Sequence, residues 1–132
     1  MSANRAKWAA RILTVLVIAA FAPSGIFKAS QAPMVVDGFA RIGIPQWAIL
    51  PLGILELACL AVYLIPRTVV LGTLLLTGYL GGATLANLIA RTDVIHVVVV
   101  GLLVWAGAWF RVAELRALIP FRGAQARTAH TT

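Results

Sequence analysis

Apolar residues run along most of the chain, and charged residues cut them into uninterrupted stretches at 12–27, 42–55, 57–66, 68–90 and 94–110. Crossing about 30 Å of hydrocarbon takes about 20 helical residues, within a range of about 17–25. The stretch 68–90 meets this alone, 94–110 meets it with its interfacial flanks, and 12–27 does so once the stem of Lys28 snorkels outward. Only Glu56 separates the remaining two, which join into one helix with an acid near its middle. The pattern therefore predicts four membrane spans, about 8–28, 46–65, 68–90 and 94–112. The links at 66–67 and 91–93 suit only antiparallel neighbours. The first loop, about 29–45, alone has room for structure of its own. The expected fold is all-α, an antiparallel four-transmembrane-helix bundle forming one membrane domain over 1–122, with a disordered tail at 123–132. Within that domain 113–122 alternates charge with Leu115, Leu118, Ile119 and Phe121, as an interfacial segment does, although a helix end stopped at Pro120 with basic anchors accounts for the same pattern.

Composition makes lipid the required solvent. Hydrophobic residues are 61% of the 132 and charged residues 11%, with a mean hydropathy of +0.96. Soluble domains carry about 25% charge, and a chain this apolar has no soluble surface adequate to keep it from aggregating. Eleven Lys and Arg against four acids give +7. The basic residues sit singly where apolar stretches stop, instead of forming a face, which excludes nucleic acid as a partner. With four spans, Arg5, Lys7, Arg11, Arg67, Arg111, Arg116, Arg122 and Arg127 fall on one side, and Lys28, Arg41 and Arg91 on the other. Both termini are thus expected on the cytoplasmic side of the cell membrane. The N-terminus also has the parts of a signal peptide, with Ala20-Phe21-Ala22 as the small-x-small site, but cleavage would fall before Pro23, so the segment is expected to remain as the first span. Trp8, Trp47 and Trp109 fall near interfaces, whereas Trp105 lies a turn deeper and is placed to pack in the bundle.

The residue requiring explanation is Glu56. An acid at the centre of a membrane helix costs roughly 2.5–3.5 kcal/mol on insertion scales and marks a functional-site hypothesis. Two roles are open: a hydrogen bond that fixes the register of neighbouring helices, or a proton carrier or ligand for a polar or cationic molecule. Tyr79 lies at similar depth on the third span and is the expected protein partner. Ser24, Lys28, Thr84, Asn87 and His96 fall in the outer third, where they would form one polar pocket above Glu56 if the helices turn those faces inward. Pro23-Ser24-Gly25 would loosen the end of span one, which opens the alternative that Lys28 turns toward the acid instead of snorkelling outward. On span three Gly78, Gly82 and Ala86 recur at steps of four, a small-residue stripe that predicts close packing on a neighbouring helix. The adjacent Gly81 and Gly82 also clear a strip where a flat ligand would lie. The single cysteine, Cys59, excludes an internal disulfide and two-cysteine redox motifs. His96 has no ligand-spaced companion, so no metal site is expected. No nucleophile–base pair, phosphate-cradling glycine loop or paired carboxylates occur, and catalysis by this chain alone is not expected.

Read in order, these segments resemble the DoxX-like family of small membrane proteins. The resemblance is carried by Ser24-Gly25 with Lys28, then by Gly43-Ile44-Pro45 and Gly53-Ile54-Leu55-Glu56-Leu57. Ile65-Pro66-Arg67-Thr68 follows, with the run from Leu75 through Gly78-Tyr79 to Gly81-Gly82-Ala83. Trp105 with Arg111 and a close at Leu115 to Arg122 complete it. It implies a four-helix membrane bundle associated with quinone-linked or oxidative-stress redox complexes, and it marks Glu56, Lys28 and the glycine run as positions that matter. Many relatives carry a His shortly after the Gly-Gly-Ala run and an Arg two residues on. Here those places hold Asn87 and Ile89, so a role resting on that pair does not carry over. The function expected is a non-catalytic or accessory membrane subunit that binds a small hydrophobic molecule, with quinone as the candidate, beside a redox enzyme. The alternatives are a small proton-coupled exporter working as a homodimer, and a scaffold without ligand.

Overall fold

The computed structural model describes residues 2–119, and all of its regular structure is helical. The expected tail, and the end of the expected interfacial segment at 120–122, lie outside the described residues. Four long helices dominate: α1 (Ala3–Ala29), α3 (Gln46–Leu64), α4 (Val69–Ile89) and α5 (Ile95–Arg111). Two short ones, α2 (Pro33–Arg41) and α6 (Ala113–Leu118), follow α1 and α5, and one 3₁₀ turn, Pro66–Thr68, joins α3 to α4. Three helical segments, Ala3–Ala29, Gln46–Leu64 and Pro66–Ile89, are long and apolar enough to cross a membrane; Ile95–Arg111 is apolar but shorter.

Local chemistry sets the boundaries. The Ser2 hydroxyl accepts from the Arg5 N–H at 3.3 Å and caps α1, so the helix begins ahead of the first apolar stretch. Ile65 is extended at ψ 125° because Pro66 follows it, and α3 ends there. Arg91, at φ 56°, turns the chain out of α4. The Asp93 carboxylate accepts from the Ile95 N–H at 2.8 Å as α5 starts. Pro33 opens α2 in the first turn, where its missing N–H costs nothing.

The long helices pack in a ring, α1 on α3, α3 on α4, α4 on α5 and α5 back on α1. On α3 the inward row is Ile49, Gly53, Glu56, Leu60 and Tyr63, spaced alternately four and three residues as in knobs-into-holes packing. On α4, Val69, Gly72, Thr73 and Leu76 are buried, and on α1, Val17, Phe21 and Gly25. Outward positions are as apolar as inward ones: Ile54 and Leu55 are exposed.

Backbone approach is closest at glycines. A Cβ on Gly53 would sit 2.7 Å from the Ala29 nitrogen and 2.9 Å from the Gly25 oxygen; one on Gly25 would meet the Leu57 side chain at 2.6 Å. A Cβ on Gly72 would collide with the Tyr63 backbone, and one on Gly107 with the Tyr63 hydroxyl. The stripe expected to pack, Gly78, Gly82 and Ala86, does not do so within the chain. Gly78 and Gly82 are exposed, and nothing lies within 4 Å of a Cβ built on either. Rotation of α4 is set by its Val69–Leu76 face, which turns this stripe outward.

Candidate functional site

Where α1, α3 and α4 meet, the inward rows bring four polar side chains together. Ser24 and Lys28 lie one turn apart on α1, three residues past Phe21 and Gly25 respectively. Glu56 lies three residues past Gly53 on α3, and Tyr79 three past Leu76 on α4. The Gly25–Gly53 approach draws α1 against α3, so short side chains span the gap.

Glu56 is 2% exposed. The Lys28 ammonium donates to its Oε2 at 2.6 Å, the Tyr79 hydroxyl to the same oxygen at 2.9 Å and the Ser24 hydroxyl at 3.3 Å. Lys28 also donates to Ser24 Oγ at 2.7 Å, linking the donors into a chain. Its Nζ lies 5.5 Å from the centroid of the Tyr79 ring, which Phe21 meets edge-on at 6.5 Å. Lys28–Glu56 is the one ion pair among the described residues. All three bonds end on Oε2. Oε1 accepts from none of the described residues, yet among these residues no fully buried side-chain nitrogen or oxygen lacks a partner, so Oε1 keeps a sliver of access. A burial this deep is expensive for charges unless they are paired and hydrogen-bonded, and here they are.

The structure brings Glu56, Tyr79, Lys28 and Ser24 together and leaves the other expected residues apart. Pro23 does not break α1, which runs on to Ala29; Lys28 reaches the acid because it shares the inward face. Asn87 donates to the Ala83 carbonyl at 2.8 Å and accepts from the Thr92 hydroxyl at 2.7 Å, finishing the end of α4. Thr84 bonds its own helix at the Leu80 carbonyl, and His96 is exposed at the start of α5. Gly81 lines a separate groove of about 310 Å³ between α4 and α5, with Thr77, Gly101 and Trp105, whereas Gly82 is not part of it. The single polar pocket expected from depth alone is therefore divided, since residues at one depth lie on different faces. Among the described residues no group of three His, Cys, Asp or Glu side chains is placed to hold a metal.

One polar lock escaped the reading of the sequence. Tyr63 is fully buried and donates to the Val104 carbonyl at 2.9 Å. Arg111 donates to the carbonyls of Tyr63 at 2.8 Å and Leu64 at 3.0 Å, filling the acceptors left at the end of α3. The available signal was Arg111 closing the last apolar stretch, which reads equally as a membrane-end anchor.

Chemically, the α1–α3–α4 cluster offers a carboxylate already neutralised by an internal cation, a free acceptor atom, and an aromatic wall. No curated protein and no solved structure matches the chain significantly. A family match does extend over residues 12–111, through every residue of the cluster: the chain belongs to the DoxX-like family.

Proposed function

We propose that this DoxX-like membrane protein is a four-span, antiparallel accessory subunit that holds a small, mainly apolar molecule at the Lys28–Glu56–Tyr79 cluster, with quinone as the ligand class and a redox enzyme as the partner. The observation that carries the reading is the concentration of all three donors on Glu56 Oε2. It leaves Oε1 to accept from a hydroxyl, and Lys28, whose side chain is 13% exposed, to donate to a carbonyl. An accepting oxygen beside a donating ammonium matches the hydroxyl and carbonyl of a quinol or quinone head group. Membership of the family supports the membrane setting. The excess of basic residues on one side supports a cytoplasmic membrane location with both termini inside. Lys28 already occupies the position that a cationic substrate would take on Glu56, which favours this reading over a proton-coupled exporter.

Copurification tests it. The protein is extracted in mild detergent, and its bound small molecules are recovered into organic solvent. A quinone retained by the wild type and lost from Glu56→Gln, with a redox enzyme in the same fraction, is the expected result. A lone dimer with proton-linked uptake would transfer the cluster to transport, and neither ligand nor partner would leave a scaffold.

A further inference from the structure

At the end of the bundle away from Lys28 lies a cleft of about 500 Å³ whose lining includes Lys7 and Arg11 of α1, Arg111 of α5 and Arg116 of α6, with Ala10 and Phe110 as apolar wall. We infer that this cleft binds the phosphate of an anionic phospholipid, whose acyl chains lie against the apolar flanks of α1 and α5.

Charge is the first argument. The chain has four acids: Glu56 is taken by Lys28, Asp37 and Asp93 are in the segments at the opposite end, and Glu114 is exposed and forms no ion pair among the described residues. Among the described residues, four cations thus border one cleft without a carboxylate between them.

Two of the three guanidinium groups, those of Arg111 and Arg116, are in addition held in place. Arg111 is tied to the Tyr63 and Leu64 carbonyls, and Arg116 donates to the Trp109 carbonyl at 3.2 Å and the Phe110 carbonyl at 2.8 Å. Carbonyls orient a guanidinium without cancelling its charge, and each keeps further N–H groups to offer. A planar donor fork fixed beforehand suits a phosphate diester. Basic pockets between helix ends at the membrane surface recognise such head groups. The alanine and phenylalanine wall gives no partner to the polar remainder of a soluble phosphate ester, but suits the start of an acyl chain. This site is distinct from the Glu56 cluster and does not depend on its role.

The test uses the full chain in detergent, titrated with phosphatidylglycerol or phosphatidylcholine and read by native mass spectrometry. Phosphatidylglycerol should be retained and phosphatidylcholine released. Lys7→Gln with Arg11→Gln should weaken retention roughly thirtyfold, two basic residues at roughly 1 kcal/mol each. Neither side chain caps a helix, so the fold should survive. The charge-matched control, Arg5→Gln with Arg67→Gln, alters exposed basic residues of the same end outside the cleft lining and should leave retention near wild type. Equal retention of the two lipids, equal loss in the two double variants, or displacement of phosphatidylglycerol by millimolar inorganic phosphate would each overturn the assignment.

Discussion

Between α1 and α3, Gly25 and Gly53 have no room for a Cβ, and the seam they close encloses an ion pair. Between α4 and α5 the glycines have room: nothing lies within 4 Å of a Cβ on Gly81, and one on Gly101 would rest 3.7 Å from Leu80. That seam keeps a groove of about 310 Å³ and is bridged by the Trp105 indole, which donates to the Thr77 hydroxyl at 3.0 Å. Both seams carry glycines among aliphatic and hydroxyl residues, so the presence of glycine does not by itself distinguish them. What lies opposite each glycine does. The Gly53 position faces backbone, and closure there puts Ser24 and Lys28 within reach of Glu56. The Gly81 position faces open space, and its missing side chain leaves a depression on the bundle surface.

The largest test of this difference removes a partner from the closed seam. Breaking a buried ion pair costs about 3–5 kcal/mol, so Lys28→Met should lower stability by that order in detergent unfolding. Glu56→Gln should cost less, because the Lys28 side chain is more exposed than that of Glu56, 13% against 3%, and can turn its ammonium outward. The double variant should regain much of the loss. Strictly additive losses would show that the two residues do not act as a pair, and the closed seam would lose its distinguishing feature.

Next in size is the glycine contrast itself. Gly53→Ala forces a methyl against the Ala29 nitrogen and Gly25 oxygen, and overpacking of this kind costs about 1–3 kcal/mol. Gly81→Ala meets nothing, and helix propensity alone should make it neutral or stabilising by up to about 1 kcal/mol. Melting curves of the two variants in one detergent decide the matter. Equal destabilisation would mean that the α4–α5 seam also closes tightly.

Helix positions and the need of Glu56 for a partner were legible in the sequence because a bilayer imposes length and penalises charge, and both act along one dimension. Depth was legible for the same reason, which is how Tyr79 could be matched to Glu56 and Lys28 brought into consideration. Rotation was not. In water an apolar stripe marks the inward face of a helix, but here Ile54 and Leu55 face outward while Gly53 and Glu56 face inward, with no polarity contrast to separate the sides. Hence Asn87, Thr84 and His96 were grouped with Glu56 by depth although their faces diverge. The Gly78–Gly82 stripe was likewise assigned to packing that the Gly25–Gly53, Gly72 and Gly107 positions perform instead.

The smallest effect belongs to the open seam. Trp105→Phe removes the bond to Thr77 but strands no partner, since the Thr77 hydroxyl continues to donate to the Thr73 carbonyl at 2.7 Å. Hydrogen bonds between membrane helices average about 0.6 kcal/mol, and the coupling between Trp105→Phe and Thr77→Val in a double-mutant cycle should be of that order. A pair worth so little keeps α5 beside α4 without drawing the helices together, as the groove beside it requires. A coupling of about 3 kcal/mol or more would instead make this bond as binding as the ionic cluster across the bundle, and the contrast between an open and a closed seam would have to be abandoned.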